Sequence, residues 1–155
     1  MKIDTNKDPY LMWRGLIWMA LALLVPVLAF YSTPSEAGEQ YVVATMASYH
    51  FDRSKEHNEQ NFGLGYEYKF NEDWRVGAGF YKNSFYRHTN YVFGGYTPLT
   101  VYGTSVGLIG GLASGYTSER LDPLLGLFVT KEWSGFGVNV LIHPAALALQ
   151  IKMPF

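Results

Sequence analysis

From Asn61 to Phe155 the chain alternates with period two, and the two faces this creates differ in bulk. In "NFGLGYEYKF" (61–70), Phe62, Leu64, Tyr66, Tyr68 and Phe70 share one face, with Gly63, Gly65, Glu67 and Lys69 on the other. "WRVGAGFY" (74–81) sets Trp74, Val76, Ala78 and Phe80 against Arg75, Gly77, Gly79 and Tyr81. "FGVNVLI" (136–142) and "ALALQIKMPF" (146–155) repeat the scheme, the second with Ala148, Gln150 and Lys152 on its slighter face. Period two is the mark of a strand whose faces meet different surroundings. A soluble sheet turns its apolar face to the core and its polar face to water. Here the opposite face is mostly glycine and alanine with scattered charge, and glycine brings nothing to a packed core. The pattern makes sense turned inside out, with bulk toward lipid and small or polar residues toward a narrow lumen. Closure of the sheet then pairs every backbone group in a medium that supplies no hydrogen bonds.

Eight strands are expected: Tyr41–Phe51, Asn61–Phe70, Trp74–Tyr81, Thr89–Tyr96, Thr100–Gly115, Leu124–Trp133, Phe136–Ile142 and Ala146–Phe155. The number is even and most lengths approach the 9–11 residues of a tilted membrane strand. "NEDW", "TPLT" and "WSGF" read as tight periplasmic turns. "DRSKEHNEQ", "KNSFYRH" and "TSERLDP" read as longer outer connections, with a short fourth, "HPAA". Trp74, Tyr96, Tyr116, Trp133 and Phe136 fall at strand ends, where amphipathic rings suit a membrane interface. The fold class expected is an all-β, eight-stranded antiparallel transmembrane barrel, with a small soluble barrel as the alternative.

Ahead of the strands, "LIWMALALLVPVLAF" (16–30) follows Lys2, Lys7 and Arg14 and precedes Ser35 and Ala37. Basic residues, a short apolar run and small residues at peptidase spacing predict a signal peptide over 1–37 and a mature barrel over 38–155. An uncleaved anchor carrying a periplasmic β domain is the other reading of this segment. The net charge of −1 gives no electrostatic footprint for nucleic acid. The lack of cysteine excludes disulfides, thiol nucleophiles and thiolate metal sites. No phosphate-binding loop, zinc motif or dinucleotide fingerprint occurs, so neither metal nor soluble cofactor is expected.

"TVYGTSVGLIGGLASGY" (100–116) puts Gly103, Gly107 and Gly111 on one face with Ser105, Ile109 and Ala113. Eight strands leave room for filling side chains or one small ligand. A wall this slight predicts a slot for a slim apolar guest such as an acyl chain, or else glycines that merely relieve crowding. At the outer end, Asn83, Ser84, Arg87 and His88 crown one hairpin, and His50 tops the first strand. Ester exchange requires a base for a hydroxyl and donors where negative charge develops. His50 suits the base, and Ser84 or Arg87 the carbonyl; solvated loop residues are the plain alternative.

"SYHFDRSKEHNEQNFGLGY" and "FYKNSFYR" are similar to segments of the lipid A palmitoyltransferase family (PagP-like), eight-stranded outer-membrane acyltransferases. In the first segment the family's catalytic histidine corresponds to His50, and its Asn-Glu pair to Asn58 and Glu59. In the second, the family's catalytic Asp-Ser corresponds to Asn83 and Ser84, so this chain has an amide where the family has a carboxylate. "GLASGYTSERLDPLLGLFVTKEWSGFGVNVLIHP" resembles its late strands, where prolines, here Pro123 and Pro144, interrupt pairing and admit lipid sideways. The family's amphipathic N-terminal helix has no counterpart. The resemblance implies a monomeric outer-membrane enzyme that moves a palmitoyl-like chain from a phospholipid to lipid A or a related lipid. Phe155, ending an alternating segment, resembles the signal read by the outer-membrane assembly machinery. The alternative is a non-catalytic barrel with a structural or lipid-binding role.

Overall fold

The computed structural model describes residues 38–117 and 121–155. The expected signal peptide lies outside the described residues. Eight strands, β1 (Glu39–His50), β2 (Gly63–Lys69), β3 (Trp74–Lys82), β4 (His88–Val101), β5 (Thr104–Ala113), β6 (Asp122–Glu132), β7 (Gly137–His143) and β8 (Ala146–Pro154), follow in chain order. Each pairs antiparallel with the next, and β1 with β8, so the sheet closes into a barrel. The end holding His50, Lys82, Ala113 and Ala146 is termed upper, and the end holding Glu39, Val101 and Pro154 lower.

The alternation resolves as expected. Leu64, Phe80, Leu108, Leu125, Leu127 and Met153 are exposed on the exterior, while Glu67, Lys69, Arg75, Asn139 and Lys152 are buried in the lumen. Apolar outside and charged inside is the distribution of a barrel built to span a bilayer.

Charges inside a barrel must be paired, because removing an ion from water costs several kcal/mol. In the lower lumen, Glu67 accepts from Lys152 Nζ at 2.5 Å, Arg75 Nη1 at 3.2 Å and Asn139 Nδ2 at 2.8 Å. Glu132 accepts from Lys152 at 2.7 Å, Lys69 at 3.0 Å and Arg75 at 3.1 Å. Arg75 also donates to Thr97 Oγ1. Five charges from β2, β3, β6 and β8 thus fill the lower half of the lumen.

Three expectations are corrected. First, "TPLT" is no turn: β4 continues to Val101, and the hairpin turns on Tyr102 and Gly103, both at positive φ (50° and 70°). Two left-handed residues in a row make the tight reversal that suits twisted strands. Pro98 sits instead in a bulge, since the β4–β5 register shifts between Tyr96 and Leu99; a bulge needs no ladder donor from proline. Second, not every large ring faces outward. Tyr41, Tyr91, Phe93 and Phe128 are buried inside, and Tyr116 turns in to Tyr81, with 2.6 Å between their hydroxyls. Third, the inner glycines do not wall an empty slot. A Cβ on Gly77 would strike the Phe93 ring, which that glycine seats, and one on Gly111 would strike the Val92 carbonyl and the Phe93 Cα of β4.

A second bulge, in β1, decides which side chains of that strand enter the upper lumen. Thr45 pairs with Gln150 and Ala47 with Leu149, which leaves Met46 as the extra residue. Below it Tyr41, Val43 and Thr45 point inward; above it the phase inverts and Ser48 and His50 do, opposite Ala148 and Ala146.

Replacing Glu67 with leucine leaves Lys152 and Arg75 sharing Glu132 alone. Glu67→Leu is expected to lower stability by about 3–5 kcal/mol, read from urea unfolding in lipid vesicles by tryptophan fluorescence. An unchanged midpoint would mean that water already solvates these charges.

Candidate active site

The charged plug stops at Phe128, whose ring has the Arg75 guanidinium 5.8 Å from its centre. Above it, Phe93, Phe128, Tyr91 and Ile109 floor a cavity of about 560 Å³, walled by Tyr81, Leu124, Leu141 and Ala148. His50, His57, Ser84, Lys55, Asp52 and His143 ring its upper part. An apolar chamber with a few polar groups at one end is the usual form of a ligand site.

Two connections build that polar end. In the first, residues 58–61 return along β1 as a strap: Ser48 N–H donates to the Glu59 carbonyl at 3.0 Å, and Asn58 N–H to the Ser84 carbonyl at 2.9 Å. The Asn58 side chain reinforces the link by donating to the Asn83 carbonyl at 3.0 Å. The second connection is organised by Asn83. Its Oδ1 accepts from Phe85 N–H and Arg87 N–H at 2.9 and 3.0 Å. Its Nδ2 donates to Thr89 Oγ1 and the Gly115 carbonyl, both at 3.0 Å. Tyr86 completes the turn at φ 62°, a conformation that costs a non-glycine residue free energy.

These constraints bring Ser84 Oγ to 2.7 Å from His50 Nε2, with both residues buried. The two residues lie 34 positions apart in sequence. Among the described residues, His50 Nδ1 is buried without a hydrogen-bond partner. Glu59 Oε1 is 3.9 Å from it, too far for a hydrogen bond. That carboxylate accepts instead from His50 N–H at 3.2 Å and from the Arg53 guanidinium. The His57 ring stacks on His50, with centroids 4.1 Å apart and planes at 19°.

The expected site residues therefore separate. His50 and Ser84 meet at the cavity. Asn83 is fully buried and spends its whole amide on the loop, so it holds Ser84 in place instead of facing a substrate. Arg87 is exposed and does not line the cavity. Gly103 lies in the lower β4–β5 turn, at the opposite end of the barrel from His50. Gly107 and Gly111 are on the inner face of β5 but do not line this cavity: a Cβ on Gly107 would strike the Tyr96 carbonyl at the β4 bulge, and one on Gly111 would strike the Val92 carbonyl. Pro123 lies in β6 opposite Leu112, and Pro144 follows β7 in the short upper turn. The β6–β7 ladder starts only at Leu127 and Ile142, so the upper end of β6, Pro123 included, has no β7 partner. His57, Tyr81, Tyr91 and Phe128 are cavity residues that the sequence did not single out. A histidine within "SKEHNEQ" reads as a solvated loop residue, and only the strap's fold-back reveals its place.

No family model matches the chain, and no curated protein matches it. Among solved structures, the chain is similar to the outer membrane protein Ail of Yersinia pestis in a phospholipid bilayer nanodisc. The identity is 17%, over 76% of this chain and 99% of that one, with a TM-score of 0.44.

Both loops can be tested directly. An aspartate at 83 could not donate to Thr89 and Gly115, so Asn83→Asp is expected to destabilise the Ser84 loop by about 1–3 kcal/mol for each buried bond lost. Amide hydrogen exchange across 83–89 reads this, and unchanged protection would remove Asn83 from its structural role. The His50 N–H and then Arg53 hold the Glu59 carboxyl below its ordinary 4.5. A depressed carboxyl supports the fold above its unfolded value, and that support is lost as pH falls through the lower, folded one. Protection of the His50 amide, relative to its intrinsic exchange rate at each pH, is therefore expected to fall below about pH 4.5 in the parent chain and to lose this pH response in Glu59→Gln.

Proposed function

We propose that the protein is an outer-membrane acyltransferase that takes a fatty acyl chain from a phospholipid and passes it to a hydroxyl of lipid A or a related lipid. The observation that carries this reading is the Ser84–His50 hydrogen bond at the head of a closed-bottomed apolar chamber. A serine hydroxyl is a weak nucleophile until a base receives its proton. In the proposed reaction, Ser84 Oγ attacks the ester carbonyl while its proton passes to His50 Nε2. The tetrahedral intermediate collapses, the carbonyl–alkoxide bond breaks, and His50 returns the proton to the departing lysolipid hydroxyl. The acyl-serine then yields to the acceptor: His50 removes the acceptor proton, the new ester forms, and the proton returns to Ser84.

The chamber suits the apolar half of this chemistry. Tyr91, Phe93 and Phe128 floor it with bulk, so an added methylene at the far end of the chain meets packed rings. Overpacking of that kind costs about 1–3 kcal/mol, which sets chain length by depth. The unpaired upper segment of β6, with Pro123 in it and Pro144 beside β7, is the side through which a lipid enters from the bilayer. The aromatic pairs Trp74–Tyr96 and Trp133–Phe136 lie toward the lower, periplasmic interface. The barrel acts as a monomer after insertion by the outer-membrane assembly machinery, and it requires no cofactor.

A second reading, a lipid-binding barrel without turnover, draws on His50 Nδ1, which lacks the acceptor that orients a catalytic imidazole in the familiar triads. One experiment separates the two. Refolded protein in vesicles of labelled phosphatidylethanolamine and lipid A is expected to transfer label and to react with a fluorophosphonate probe. Ser84→Ala and His50→Ala are each expected to lower transfer by about 10³-fold or more. Retention of labelled lipid, with neither transfer nor probe reaction in the unaltered protein, would establish the binding role.

A further inference from the structure

Three features of the upper rim converge on one residue to which the proposed reaction assigns no role. The first is the bare Nδ1 of His50. Among the described residues nothing accepts a hydrogen bond from it, and the nearby Glu59 is committed to the His50 backbone and Arg53. An imidazole that pivots about Cβ loses its alignment with Ser84, so something other than an acid must hold the ring. The second is the stack. His57 lies face to face with His50, and the edge of Phe85 closes on His57 with centroids 6.0 Å apart and planes at 69°. Phe85 in turn meets Tyr116 edge-on at 6.1 Å. The third is the backbone around the stack. Phe85 is next to Ser84 in the chain, and Asn58, the neighbour of His57, donates its N–H to the Ser84 carbonyl. One strap therefore touches the base by its ring and the nucleophile's loop by its backbone.

We infer that His57 is the positioning residue of the Ser84–His50 pair, fixing the His50 imidazole by face-to-face stacking in place of a carboxylate. The inference rests on the acyl-transfer reading and deepens it. Packing from one face prevents the ring from swinging out of line with Ser84 Oγ. This packing acts on the reacting pair and not on lipid capture, so the loss belongs in kcat.

The test measures transfer kinetics and fluorophosphonate labelling of Ser84 in the full protein, with folding checked by circular dichroism and urea midpoint. His57→Leu and His57→Gln, which remove the stack, are expected to lower kcat and the labelling rate by about three- to tenfold with KM within twofold. His57→Phe, which restores an aromatic face without nitrogen, is expected to recover the parent rate to within about threefold. Parent-like rates in His57→Leu would overturn the inference, as would failure of His57→Phe to recover while His57→Gln does. If the unaltered protein neither transfers nor labels, the acyl-transfer reading fails first and takes this one with it.

Discussion

The lumen of an eight-stranded barrel is too narrow to stay empty and too dry to hold unpaired charge, and the molecule is arranged around that constraint. At the lower end Glu67 and Glu132 pair with Lys69, Arg75 and Lys152, Lys69 reaching Glu39 and Glu72 as well, and the plug is sealed by their hydrogen bonds. In the middle, rings from β4 and β6 take over, those of Tyr91 and Phe93 seated where β2 and β3 carry glycine. Only above Phe93 and Phe128 does the filling stop. The cavity is the remainder of a lumen that the chain has otherwise packed, which explains why it has a floor.

The two bulges convert this filled tube into a site. At Pro98 the extra residue lets β4 run on to a tight hairpin with a residue that could not join the ladder. At Met46 it turns β1 by half a period, so the strand shows Tyr41 and Val43 to the lower lumen and His50 to the upper. The loop held by Asn83 then supplies Ser84 from the other side. Neither loop positions its residue alone: the strap of 58–61 is hydrogen-bonded to both β1 and the Ser84 carbonyl.

How much of this the sequence disclosed depends on the range of the forces involved. The faces of β2, β3, β7 and β8 were legible because alternation is a local signal, and Glu67, Arg75, Asn139 and Lys152 all point inward as the period requires. Pairing of His50 with Ser84 was reachable through the resemblance of two short segments. The glycines of β5 misled, because a glycine face announces missing bulk without saying what lies against it; at Gly107 and Gly111 it is the backbone of β4. Gly103 misled for a different reason, since a strand pattern carried through "VYGT" hides a reversal that only its backbone angles reveal. Asn83 looked like a weakened catalytic acid, yet its two amide donors serve carbonyl and hydroxyl partners that no carboxylate could. His57 left no periodic trace at all.

The Met46 bulge bears on how such a site is inherited. Because His50 faces the lumen through the counting of residues along β1, the chemistry is written in a reading frame of the backbone as much as in the identity of a histidine. Addition of one residue between Ala47 and Tyr49, with Met46 still the bulge, would keep the histidine and the serine, and would still let the tube close. It would also deliver an aromatic ring to the chamber and the imidazole to the lipid. Lineages of barrels like this one can therefore gain or lose a reactive centre by slippage of a single codon, with every chemical group still present in the gene.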